Sequence, residues 1–369
     1  MNNKYVWIRN LAILFIACNL LFWFFPFPPV IWRFLLVTLS LITLLNTGKL
    51  LACEKMVLLF AAFNLLHFFV SYLWQSPSAS SIGNVLCGSL ALTLFSVLSE
   101  KGVMTEKAVS VIGIILVIAS IVCYNYYGVL LINKSETDTT TNSYSEFFLM
   151  LLPLLFFIKK PVIKWLLLLI CLFFLIIGAK RGNILAAFIP LVIILRQSLK
   201  DSKRSAIKII LTIVLIAGTG FLAYYWTSSN EYLLYRIEQT NEGDSSGRDI
   251  IYETTWNLWY YSESVFSQLF GFGYDSVVNK INVAAHSDWL EILVDYGLVG
   301  VLLYLVVYLR FVRQIRFTKD PELKVVIISA VSILFIKSFY SMSFNTSTLP
   351  LLMISFGTAL GRYKTSTAT

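Results

Sequence analysis

The sequence predicts an all-α integral membrane protein: a polytopic bundle of about twelve transmembrane helices with one large, partly helical loop on the outer side. Three observations carry that prediction. Hydrophobic residues make up 58% of the 369 and charged residues only 13%, about half the charged share of an ordinary soluble domain. Apolar runs of roughly 17 to 25 residues, the length a helix needs to cross a bilayer, recur along nearly the whole chain. The runs are continuous rather than ten-residue alternations, which excludes an outer-membrane barrel.

Taken in order, Lys4 and Arg9 precede a first apolar run, about 5–25. It carries no small-residue cleavage site and ends at Phe25-Pro26-Phe27-Pro28-Pro29, so it reads as an uncleaved first span. Further spans follow at about 30–46, 56–74, 82–98, 108–131, 145–158, 162–178, 182–196, 206–226, 289–312, 322–340 and 346–362. Basic clusters fall on alternate connections: Lys49/Lys55, Lys101/Lys107, Lys159/Lys160/Lys164, Arg196/Lys200/Lys203/Arg204/Lys208, Arg310/Arg313/Arg316/Lys319 and Arg362/Lys364. Basic residues favour the cytoplasmic side, so these connections and both termini are expected there. The chain divides accordingly into nine helices over 1–226, a large outward loop over 227–288, and three helices with a short tail over 289–369. The net charge of +9 follows mostly from this bias and needs no nucleic-acid partner. Five cysteines, Cys18, Cys53, Cys87, Cys123 and Cys171, stand singly in or beside apolar runs, which suggests neither disulfides nor a zinc site.

The extramembrane mass is concentrated in the outward loop, whereas a transporter of inverted repeats would show paired halves and interrupted helices. The loop is rich in aromatics (Trp226, Tyr232, Tyr235, Tyr252, Trp256, Trp259, Tyr260, Tyr261) and is neither Gly/Ser-rich nor Pro-rich, so it is expected to be ordered. Ser246-Gly247-Arg248-Asp249 fits a capping signal and places a helix over about 248–263. Tyr252, Trp256, Trp259 and Tyr260 share one face of it, suited either to the membrane interface or to stacking on sugar. Gly271-Phe272-Gly273 marks a tight turn.

The basic residues that escape the cytoplasmic bias are Arg33, Lys134, Lys180, Arg181, Arg236, Arg248, Lys280 and Lys337. Lys180 and Arg181 stand in the short hairpin Gly178-Ala179-Lys180-Arg181-Gly182-Asn183, with no acid nearby in sequence. An unpaired charge at the hydrocarbon boundary costs on the order of 3 kcal/mol. An external anion would supply the partner, and the planar guanidinium suits phosphate; snorkelling to the interface is the other reading. Arg248 lies at the start of the loop helix, where free N–H groups also favour an anion. His286, one of 2 histidines, precedes Ser287-Asp288, and Asp288 with Glu291 begins another helix. Such a position keeps an imidazole neutral and able to accept a proton, or uses it as a simple cap. Asn64, His67, Ser71 and Gln75 form a polar stripe at helical spacing, suited to bonding neighbouring helices or to lining a groove. Lys337, near the outer end of its span, is open in the same way.

There is no G-x-x-x-x-G-K-[ST] loop, no G-x-S-x-G, H-E-x-x-H or C-x-x-C, and no D-x-D pair for a metal-bound nucleotide sugar. No cofactor and no metal are expected.

From about Leu175 to Gly300 the chain resembles the O-antigen polymerase and O-antigen ligase family of bacterial polysaccharide enzymes. The resemblance rests on Gly178-Ala179-Lys180-Arg181-Gly182-Asn183 opening a span, Ser246-Gly247-Arg248 followed by Trp256, and Gly271-Phe272-Gly273 leading to Ala285-His286-Ser287-Asp288 and Gly297-Leu298-Val299-Gly300. It implies a membrane glycosyltransferase of the GT-C kind in the bacterial inner membrane, acting at the periplasmic face without metal. The donor would be an undecaprenyl-pyrophosphate-linked saccharide, displaced with inversion. The acceptor would be another lipid-linked repeat unit for a polymerase, favoured by the Ser-Asp-Trp-Leu-Glu run, or lipid A core or protein for a ligase. It maps Arg181 and Arg248 to the diphosphate and His286 to the general base. Lys180, Trp256, Asp288 and Lys337 are the residues expected to meet substrate. A flippase and a chain-length regulator are the expected partners, and a polysaccharide transporter is the reading from another class. The family often has Ser-Arg and His-Asn where this chain has Ala179-Lys180-Arg181 and His286-Ser287.

Overall fold

The computed structural model describes residues 3–25, 27–45, 49–132, 144–178, 180–200 and 247–368, with isolated positions between 217 and 225. The expected span at 206–226, the outward charges Lys134 and Arg236, Ala179, and the first part of the large loop through Ser246 lie mostly or wholly outside these residues.

Among the described residues every regular element is helical. Five helices are long and apolar enough to cross a membrane: α3 (Ala52–Ser71), α4 (Ala79–Glu100), Glu106–Tyr126 of α5 (Glu106–Ile132), α12 (Asp288–Phe317) and α13 (Pro321–Tyr340). Shorter apolar helices are α2 (Pro29–Leu44), α7 (Pro161–Ile177) and Arg181–Ile194 of α8 (Arg181–Lys200). The chain is a multi-pass membrane protein of α-helices. Large apolar side chains on α2, α8 and α12, among them Phe34, Phe188 and Leu302, face outward, as surfaces bathed by lipid do.

Prolines punctuate the bundle. After α1 (Asn3–Leu20), Pro29 opens α2 at a position where its missing N–H costs nothing. Pro153 has the opposite effect inside the apolar run at 145–158. There α6 (Glu146–Leu151) gives way to a 3-10 segment, Leu152–Phe157. Proline lacks an N–H and crowds the preceding turn, so the expected straight span becomes a short composite. That composite is almost wholly buried.

The core is built on close backbone contact. α14 (Leu349–Ala368) lies along α4, where a side chain at Gly357 or Gly361 would run into the Leu92 and Ser96 carbonyls. Small residues four apart let two membrane helices approach this way. α13 packs on α8, and α12 on α3 and α13. All five cysteines are buried free thiols.

Candidate active site

The loop segment is short helices folded back onto the bundle: α9 (Arg248–Tyr260), α10 (Val265–Phe270) and α11 (Ser276–Ile281). α9 begins where the sequence places it and ends three residues earlier than 263. Its N-cap is Gly247 in the left-handed conformation (φ 72°), with no side-chain cap bond.

Gly271-Phe272-Gly273 does more than turn. Phe272 N–H donates to the Val294 carbonyl (2.8 Å) and Gly273 N–H to that of Asp295 (3.1 Å). They insert where α12 is broken at Gly297, φ 64° and ψ −163°. A Cβ at Gly271 would collide with Asp295 O, and one at Gly297 with Leu269 O, so both glycines are needed for clearance as well as for their positive φ.

The polar stripe on α3 receives the same segment. Tyr274 N–H donates to Ser71 Oγ (2.7 Å), Gln75 Nε2 to the Tyr274 carbonyl (2.5 Å), and Trp74 Nε1 to that of Phe272 (3.2 Å). Deeper, Tyr296 Oη donates to Asn64 Oδ1 (2.6 Å), and the His67 ring packs on Tyr296 and Phe63. On α4, Ser78 N–H and Ser81 Oγ donate to the Asp275 carboxylate (2.6 and 3.1 Å). Asp295 accepts from the backbone N–H groups of Asp275 and Val277. The stripe is therefore the seat of the loop.

This seat delivers His286. The residue stands at φ 55°, a region histidine enters more readily than most residues, and its two sides are held. Ala285 N–H donates to Glu291 Oε1 (2.7 Å), and Tyr252 Oη on α9 donates to the His286 carbonyl (3.3 Å) and the Phe339 carbonyl (3.0 Å). The ring makes no hydrogen bond to the described residues. Crowding by protein pushes its pKa down, and the cations of Arg248 and then Lys180 push it further the same way, so the neutral imidazole is favoured.

The cations meet at the loop end of α13. Arg248 Nη1 donates to the Tyr340 carbonyl (3.2 Å). Gly182, next to exposed Arg181 at the start of α8, packs against Tyr340. Lys180 is not without an acid, contrary to the expectation from sequence: its Nζ lies 3.5 Å from Glu146 Oε2. Lys337, wholly buried, lies 2.6 Å from the same oxygen. Glu146 Oε1 accepts from Thr346 (2.9 Å) and Thr348 (2.5 Å). One carboxylate thus sits between two lysines, and Arg248, Lys180 and His286 share one region.

Two expected substrate contacts fall elsewhere. Asp288 faces inward, taking Tyr304 Oη (2.6 Å), Ser343 N–H (2.9 Å) and Ser343 Oγ; through Ser343 it anchors the 341–348 loop. Trp256 lies eight residues along α9 from Arg248, about 12 Å, exposed beside Tyr260 (6.1 Å, 16° between planes) and against the partly buried Trp259. Sequence reasoning passed over Glu146 as a site residue and read Tyr252 only as part of the aromatic face of the loop helix. Glu146 did carry a signal, as an acid opening a membrane-length apolar run.

Among the described residues no group of three His, Cys, Asp or Glu is placed to hold a metal ion. Residues 166–305 match the family model described as O-antigen ligase. No curated protein matches the chain. The matched stretch includes Lys180, Arg181, Arg248, Trp256, His286 and Asp288, and leaves Glu146 and Lys337 outside.

Proposed function

We propose, for a chain that carries a domain of the O-antigen polymerase and ligase family, that it polymerises lipid-linked oligosaccharide repeat units on the periplasmic side of the inner membrane. The observation that carries the reading is the convergence of a neutral-biased, hydrogen-bond-free imidazole, His286, with the cations of Arg248 and Lys180.

In this reading the diphosphate of the undecaprenyl-linked donor lies against Arg248, Arg181 and Lys180, with Lys337 and Glu146 setting the charge behind them. His286 takes the proton of the acceptor hydroxyl as its oxygen bonds to the anomeric carbon. The bond from that carbon to the diphosphate oxygen breaks with inversion, and undecaprenyl diphosphate leaves as an anion that needs no proton. A positioned base contributes roughly a hundredfold to ten-thousandfold, and each donor aimed at the departing oxygens about 3 kcal/mol. Neither contribution calls for metal or nucleotide.

The matched family's description, O-antigen ligase, favours a second reading, in which the acceptor would be lipid A core or protein. One experiment separates them. The purified chain is given undecaprenyl-diphosphate-linked repeat units, with and without lipid A core. A ladder of longer lipid-linked glycans without core supports the polymerase, and product only with core supports the ligase. A ladder that His286→Ala leaves unchanged removes both; substrate flux across vesicles with no new glycosidic bond would instead mark a transporter.

A further inference from the structure

One cation that escaped the cytoplasmic bias plays no part in the site above. Arg33 stands one turn into α2, and its guanidinium meets only neutral oxygens: Nε donates to Asn19 Oδ1 (3.1 Å), and Nη1 to the carbonyl and hydroxyl of Ser80 (3.2 and 2.7 Å). Nη2 has no partner among the described residues, and no carboxylate approaches the group. A guanidinium on an apolar helix with no counter-ion among the described residues is a candidate site for an anion.

It lines a narrow, open-mouthed pocket with enclosed room for about one water-sized atom, such as a single phosphate oxygen, together with Phe15, Asn19, Trp32, Asn84 and Ser347. Two polar atoms in this lining, Trp32 Nε1 and Asn84 Oδ1, are buried without a hydrogen-bond partner. Buried donors and acceptors are paired in nearly all native structures, so each orphan points to a missing group. Amide oxygen and nitrogen exchange by a flip, so Asn84 can present N–H instead. The pocket then offers three donors: guanidinium, indole and amide.

The surroundings narrow what fills it. Phe25 and Phe27, both exposed, stand edge-on to the Trp32 ring at 5.2 and 6.1 Å, an aromatic cluster of the kind found at head-group level. Ser80, which accepts from Arg33, lies between Ser78 and Ser81, which hold Asp275 of the seated loop. The pocket therefore opens at the same end of the bundle as His286. Ser347 lies seven residues beyond Tyr340, so chain length alone keeps the pocket within about 25 Å of the cation cluster.

We propose that Arg33, Trp32 and Asn84 form a second anion site that binds the phosphate of a membrane lipid, apart from the His286 centre. The phosphate belongs either to a bilayer phospholipid or to a polyprenyl carrier, and the two chemistries are alike at the head.

The test is native mass spectrometry of the full chain released from detergent, titrated with phosphatidylglycerol, undecaprenyl phosphate and diacylglycerol. A phosphate-dependent adduct is expected with either phospholipid or carrier and not with diacylglycerol. Arg33→Gln weakens it about tenfold, as loss of a charge-assisted bond would. Trp32→Phe, which keeps an aromatic ring and removes the N–H, weakens it several-fold, while Arg248→Gln leaves the phosphatidylglycerol adduct in place. Displacement of phosphatidylglycerol by undecaprenyl phosphate assigns the site to the carrier, and equal competition assigns it to the bilayer. Wild-type affinity in both Arg33→Gln and Trp32→Phe overturns the proposal. Should Arg33→Gln fail to fold, wild-type affinity in Trp32→Phe alone overturns it. Because Arg248→Gln tests the other centre, a failure here leaves the glycosyl-transfer reading untouched.

Discussion

The seat of the loop and the cation cluster face the same end of the bundle and are built on opposite principles. In the seat, Ser71, Gln75, Ser78, Ser81, Asp275 and Asp295 spend their hydrogen bonds on one another and on backbone, and glycine contacts leave no slack. In the cluster, Lys180 and Lys337 share one carboxylate, Glu146, Arg248 donates to a backbone carbonyl, and the His286 ring has no hydrogen bond to the described residues. The first region is complete without a ligand; the second, among the described residues, leaves the His286 ring without a hydrogen bond and Arg248 on a backbone carbonyl. A rigid seat thus holds His286 in place while leaving its ring without a hydrogen bond to the described residues.

That contrast is sharpest if His286 is truncated. His286→Ala is expected to lower glycan elongation by a hundredfold to ten-thousandfold, on the order of a positioned base, with the thermal unfolding midpoint unchanged. A fall in both would put His286 in the seat instead.

Glu146→Gln should act in the reverse sense, on the fold first. It leaves Lys337 buried without its anion, a loss of about 3–5 kcal/mol, and the measurement is the thermal midpoint in detergent. Glu146→Gln combined with Lys337→Met should recover most of that midpoint, since the buried lysine no longer stands without its anion.

Arg248→Gln is expected to reduce turnover by about a hundredfold to a thousandfold and also to move the pH profile. The Arg248 cation depresses the His286 pKa, so its removal raises that pKa toward the ordinary value of about 6.5. The acidic limb of activity, where the base becomes protonated, then shifts upward. The same depression makes folding weaken as pH falls below about 6.5, because the unfolded chain takes up the proton first. A limb that stays in place would place His286 outside the influence of Arg248.

Gly271→Ala probes the seat directly. Its Cβ would run into the Asp295 backbone, at a cost of about 1–3 kcal/mol, read as a lowered midpoint with activity falling in parallel. The smallest effect belongs to Tyr252→Phe, which removes the bond tying α9 to the His286 carbonyl. It should cost about 1 kcal/mol, seen as protease sensitivity in α9.

Much of this was legible beforehand. Pro28 and Pro29 mark the start of α2 and Arg248 the start of α9. The motif residues Gly178, Gly271 and Gly297 each sit where a side chain would meet other atoms. The polar stripe on α3 was visible as a stripe, while the use it serves was not, because its partners Tyr274 and Tyr296 stand about 200 residues away. Asp288 misled for a related reason: its place beside His286 suggests substrate, whereas its oxygens belong to Ser343 and Tyr304.

The sequence by itself determined the class of the protein, a multi-pass helical bundle, and the residue types of its chemistry, because membrane length, proline breaks and charge bias are local or compositional. Only the tertiary structure decided which of those residues stand together. Lys180 meets Glu146, Arg248 meets the end of α13, and Asp288 turns inward through contacts between helices far apart in the chain. Such pairings are set by how buried charges and hydrogen-bonding groups find partners in a medium without water, and no short stretch of sequence specifies its partner.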